Sequence, residues 1–120
     1  MRPDSDLLTP PTETLPILTL TEENFNTFTL QIPTLVIDFW TEWCGSCRFF
    51  SQIFAEISLE YPKIQFCTCN TEENSSIASE LRIRAVPTLM FIKNGTVLKI
   101  HCGALSKEEF REELNAVFRA

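Results

Sequence analysis

Two cysteines stand three residues apart, Cys44 and Cys47, with Gly45 and Ser46 between them and Trp43 in front. An apolar run holding one acid, Val36-Ile37-Asp38-Phe39-Trp40, ends just before them. That order puts the pair where a buried strand should turn into a helix. The first turn of a helix leaves backbone N–H groups unpaired and carries about half a positive charge. A thiol placed there ionises more readily, and the thiolate is the reactive form. The second cysteine lies one helical turn further on and can close a disulfide with the first. The chemistry within reach is thiol–disulfide exchange. Half of a zinc site is the competing use of such a pair. Zinc usually takes four ligands, a second C-x-x-C is absent, and Cys67-x-Cys69 has mid-strand spacing rather than that of a knuckle. No metal and no other cofactor is expected.

Asp38 sits inside the apolar run. A carboxylate there is costly unless it finds a partner or stays protonated, so its pKa should rise.

The elements that must hold these residues follow from hydrophobic period. Leu15 to Leu20 reads as a short first strand, and Thr21 as the cap of a helix carrying Phe25 and Phe28. Residues 34–40 read as a strand covered on both faces. Residues 45–60 read as a helix whose stripe is Phe49, Phe50, Ile53, Phe54 and Ile57, with Pro62 beyond its end. Ile64 to Asn70 is a strand and Ser75 to Ile83 a helix. Thr88 to Lys93, the turn Asn94-Gly95 and Val97 to Cys102 form a hairpin. Ser106-Lys107-Glu108-Glu109 is a capping box opening a last helix. Strands alternating with helices, closed by a hairpin, give an α/β domain with a mixed central sheet in the order β-α-β-α-β-α-β-β-α.

Composition narrows the class. The chain has 120 residues, 44% of them hydrophobic, ten of them Phe and only three Gly, enough for one domain with one core. A net charge of −6 leaves no basic cluster to neutralise phosphates, so nucleic acid is not an expected partner. No apolar run is long enough to span a bilayer. Five cysteines, an odd count, do not make a disulfide scaffold, and free thiols without an export signal point to a cytoplasmic location. Residues 1–14, rich in Pro and poor in apolar groups, read as a flexible extension, and residues 15–120 as the domain.

The elements in that order, together with Asp38, Trp40, Trp43-Cys44-Gly45-Ser46-Cys47, Val86-Pro87-Thr88, Asn94-Gly95 and Gly103-Ala104-Leu105-Ser106, resemble the thioredoxin family over residues 17–120. The resemblance implies the thioredoxin fold and a redox-active Cys44–Cys47 disulfide, with Cys44 attacking, Cys47 resolving and Asp38 moving the resolving thiol's proton. It implies a cis peptide at Pro87 and an apolar apron of Trp43, Val86, Pro87, Gly103 and Ala104 that binds extended protein substrates. It further implies a monomer that reduces protein disulfides and is recharged by a thioredoxin reductase. The chain departs from the family pattern at three places. Ser46 replaces the proline usual between the cysteines. With Gly45 it is expected to tune the potential, making the couple less reducing. Thr68 stands where many members carry a lysine near the acid, which should push Asp38 up further. Gln52 replaces a kink proline. Ser46 and Thr68 leave open a specialised oxidase, isomerase or electron donor. A binding module is the third reading, and the intact pair with Asp38 speaks against it. Cys67 and Cys69 are expected to fill the core, Cys102 to lie near the rim of the site, and His101 to lie on the surface.

Overall fold

Five adjoining buried residues, Leu35 to Phe39, make strand β2 (Thr34–Trp40) the centre of the molecule. The computed structural model describes residues 16–119; the extension expected over residues 1–14 lies outside the described residues. The other strands are β1 (Leu18–Thr19), β3 (Gln65–Asn70), β4 (Thr88–Lys93) and β5 (Thr96–Cys102), and the helices are α1 (Phe25–Gln31), α2 (Gly45–Ser58), α3 (Ser75–Leu81) and α4 (Lys107–Phe118). The sheet order is β1-β3-β2-β4-β5. The strands β1, β3 and β2 run parallel, while β4 runs antiparallel to β2 and β5 antiparallel to β4.

Alternation along β2 splits the core in two. Val36 joins Phe50, Phe54, Phe66, Phe91 and Phe110 under α2 and α4. Leu35, Ile37 and Phe39 join Cys67, Cys69, Met90 and Ile77 on the side of α1 and α3. The first cluster is aromatic, with Phe54 and Phe66 ring centres 5.0 Å apart and Phe50 and Phe110 5.3 Å apart, within the range where tilted rings attract. Asp38 shares the face of Val36, so the acid projects toward α2, the helix that carries the cysteines.

Three local expectations are corrected. β1 is only two residues long, since Pro16 has no N–H to give a ladder and the chain turns at Thr21. Thr21 is not the cap of α1: its carbonyl accepts from the N–H groups of Asn24 and Phe25, and the N-cap is Asn24. The Asn24 side chain accepts from the Thr21 N–H at 2.7 Å. Phe49 does not belong to the buried stripe of α2, which is Cys47, Phe50, Ile53, Phe54 and Ile57; Phe49 is 64% exposed. A helix advances about 100° per residue, so one position of offset carries a side chain out of the stripe. α2 itself runs uninterrupted past Gln52.

Asn94 and Gly95 both have positive φ, at 51° and 79°, the pair of left-handed residues that a two-residue hairpin turn needs. That turn sets the register Lys93↔Thr96. It brings the end of β5 back beside the start of β4.

Candidate active site

Cys44 is the N-cap of α2, and its sulfur accepts the backbone N–H of Cys47 at 3.0 Å. This is the bond that a Ser or Asp oxygen makes at an ordinary cap. Cys44 and Cys47 are joined as a disulfide, with their Cα atoms 5.2 Å apart. The Ser46 hydroxyl lies 3.4 Å from the Cys44 sulfur. A disulfide sulfur has no hydrogen, so the hydroxyl is the donor. Cys44 is half-buried, while Cys47 is 2% exposed at the head of the buried stripe. The two sulfurs therefore face different surroundings although they are bonded to each other.

The peptide between Val86 and Pro87 is cis. The Val86 carbonyl oxygen lies 3.6 Å from the Cys44 sulfur. Gly103 closes this side of the site. Its φ of 104° suits glycine alone, and its N–H donates to the Pro87 carbonyl at 2.8 Å. Around the pair Trp43 and Ala104 are exposed, Val86 and Gly103 half-buried, and Pro87 buried, so Pro87 offers little of its own surface.

On the other side, over the seam between β2 and β3, an open cleft of about 530 Å³ runs to Asp38. Asp38 pairs with Thr68 across that seam. Asp38, Thr41, Cys47, Arg48, Ser51 and Thr68 line the cleft. The Arg48 guanidinium donates to the Glu42 carbonyl at 3.0 Å. Asp38 is 1% exposed and its Oδ1 has no hydrogen-bond partner among the described residues. Burial alone pushes its carboxyl up to about 7.

Of the residues singled out from the sequence, Asp38 lies within β2 and Thr68 beside it in β3, Trp43 and Cys44 to Cys47 lie between β2 and the first turn of α2, Val86 and Pro87 just before β4, and Gly103 and Ala104 just after β5. Cys67 and Cys69 are fully buried in the cluster on the far face of the sheet, where burial raises their thiols to about 12 and about 11. They are reactive neither by exposure nor by charge. Cys102 is exposed at the end of β5, with its sulfur 3.9 Å from the Thr88 hydroxyl. His101 is half-buried. Sequence reasoning missed Thr41, Arg48 and Ser51 as lining of the acid's cleft. Ser51 had a signal, because it follows Cys47 by four residues and so shares its helix face.

Comparison with known proteins fits this geometry. Residues 16–116 match the family model described as Thioredoxin. A thioredoxin from Buchnera aphidicola is 39% identical over 101 residues, covering 82% of this chain and 94% of that protein. A thioredoxin from Pseudomonas aeruginosa is 32% identical over 102 residues, covering 83% and 94%. Among solved structures, a chain from a study of thiol resolution in yeast mitochondrial 1-Cys peroxiredoxin by glutathione and thioredoxin systems superposes with a TM-score of 0.77 at 28% identity, covering 83% of this chain and 94% of that one. Thioredoxin from Malassezia sympodialis superposes at 0.74 with 30% identity, covering 84% and 90%. A mixed sheet with its exchange-ready cysteines at a helix start, matched by family and by fold, leads to one conclusion: this chain belongs to the thioredoxin family and is a thiol–disulfide oxidoreductase working through Cys44 and Cys47.

Proposed function

We propose that the chain reduces protein disulfides with Cys44 as the attacking sulfur, Cys47 as the resolving one and Asp38 as the proton carrier. The observation that carries this reading is the unequal setting of the pair: Cys44 is reachable and its sulfur accepts an N–H, while Cys47 is buried on the side of the acid. In the reduced protein, the Cys44 thiolate attacks one substrate sulfur. A Cys44–substrate disulfide forms, the substrate S–S bond breaks, and the other substrate sulfur leaves with the electron pair. Cys47 gives its proton to Asp38 and attacks the Cys44 sulfur. The Cys44–Cys47 bond forms, and the second substrate sulfur leaves and takes a proton. Substrate gains two electrons and the protein becomes the disulfide seen here. An acid whose pKa is about 7 can accept and return a proton near neutral pH.

Trp43, Val86, Pro87, Gly103 and Ala104 form the docking apron in this reading, with the Val86 backbone pairing to an extended segment. Gly45 and Ser46 tune the potential. A thioredoxin reductase restores the dithiol, which makes the chain an electron carrier, and residues 15–120 act as one monomeric domain in the cytoplasm. A net charge of −6 supports proteins over nucleic acid as partners, and no helix among the described residues is long and apolar enough to cross a membrane.

Trapping tests the assignment. A Cys47→Ser variant should accumulate a stable mixed disulfide with a model substrate such as insulin, through Cys44, and a Cys44→Ser variant should not. The opposite pattern would reverse the roles. Insulin reduction supported by a thioredoxin reductase tests the electron source; turnover with a chemical reductant but none with the reductase would reject that partner.

A further inference from the structure

Phe49 departs from the rest of the aromatic set. Among the described residues Trp43 and Phe49 are the only aromatic side chains that stand exposed, at 81% and 64%. One precedes Cys44 by a residue and the other follows Cys47 by two. An aromatic ring left in water forgoes the burial that stabilises each core Phe. Both losses fall beside the reactive pair.

Phe49 follows Gly45 by four residues, so it lies on the same face of α2, one turn further along. It borders a groove of about 530 Å³ between α2 and α4, lined also by Gln52, Ile53, Glu56, Ser106 and Lys107. Ile53, 8% exposed, gives the groove an apolar floor. A Lys107–Glu56 ion pair joins the two helices across it. The groove lies away from the Asp38 cleft and shares no lining residue with it.

We infer that Phe49 and this groove receive the stretch of a substrate polypeptide flanking its half-cystine, with an apolar substrate side chain laid on the Phe49 ring. The inference rests on Cys44 being the attacking sulfur. Once a substrate sulfur is bonded to Cys44, its chain must leave across the surface around the start of α2, and Phe49 is the exposed apolar body next along that helix. A helix rises about 1.5 Å per residue and an extended chain about 3.3 Å. The five residues from Cys44 to Phe49 therefore correspond to about two or three residues of extended substrate. Phe49 thus selects substrates by what stands that far from their reducible bond.

The test uses the reduced full-length chain and short disulfide-bonded peptides. Each peptide carries either Leu or Ser about three residues from its half-cystine, on one side or the other, to match that spacing. Dithiobis(nitrobenzoate), which has no polypeptide, is the third substrate. Phe49→Ser should lower the second-order rate with one Leu peptide roughly tenfold, and Phe49→Leu should restore most of it. With the Ser peptides and the small disulfide, both variants should stay within about twofold of the parent. Equal losses on all three substrates, or no loss on either Leu peptide, would overturn the role of Phe49. Failure of the underlying reading looks different. If Cys44→Ser keeps the parent rate with the small disulfide while Cys47→Ser loses it, the attacking sulfur is misassigned, and the groove argument falls with it.

Discussion

Cys44 does at the start of α2 what a serine would do, with sulfur in the place of oxygen, and this explains why its surroundings bear on its chemistry. Each donor aimed at that sulfur favours the thiolate over the disulfide. The Cys47 N–H at 3.0 Å comes with the helix. The Ser46 hydroxyl at 3.4 Å does not, and a proline at position 46 would remove it together with one backbone N–H. Proline is tolerated in a first helical turn, so the exchange should leave the fold intact. Losing a donor worth on the order of 1 kcal/mol should make the couple more reducing by about 20–30 mV. Equilibration of Ser46→Pro against glutathione measures it, and an unchanged or higher potential would remove Ser46 from the tuning set. Much at this scale was legible beforehand. The pair, the acid with a raised pKa and the cis Pro87 came from residue type and resemblance. Phe49 did not. A residue next to the buried stripe looks the same in sequence as one within it, and only the packing of α2 against α4 separates them.

Along the elements, local signals held wherever the residues had a local job to do. The Ser106 hydroxyl accepts from the Glu109 N–H at 3.1 Å, and the Glu109 carboxylate accepts from the Ser106 N–H at 3.0 Å, the two halves of the capping box. That box sets where α4 begins, and α4 delivers Phe110 and Leu114 to the aromatic core under α2. Ser106→Ala should cost about 1 kcal/mol in urea unfolding and leave the potential of the Cys44–Cys47 pair unchanged. A parallel change in the potential would mean that α4 holds the site directly. α2 was legible because burial of one face writes a period into its sequence, and β2 and β4 because burial on both faces leaves a nearly unbroken apolar run. The length of β1 and the start of α1 were not. There the side chain of Asn24 serves a turn at Thr21 instead of its own helix, a tertiary choice that leaves no period to read.

For the whole molecule, the buried acid is a cost of folding. The Asp38 carboxyl titrates at about 7 in the folded chain, against 3.8 when unperturbed. Between those values the folded chain keeps a proton that the unfolded chain has released. Stability should therefore fall as pH rises through that window, with the full penalty present above it. Asp38→Asn removes the titration. Relative to the parent, the variant should gain stability between pH 3 and pH 8 by up to about 4 kcal/mol, roughly three pKa units at about 1.36 each. Urea melts at both pH values measure the gain, and a difference that does not change with pH would end this account. On the proton-carrier role proposed for Asp38, disulfide exchange by the variant should slow. The order β1-β3-β2-β4-β5 gives that cost a setting. Val86, Pro87 and Gly103 lie on the β4–β5 side of the central strand, and the cleft to Asp38 lies over β2 and β3. A client protein seated over Cys44 from the first side leaves the second uncovered. On the roles proposed above, the polypeptide has a front door and the proton a back door, and the acid recharges from water while the client is still in place.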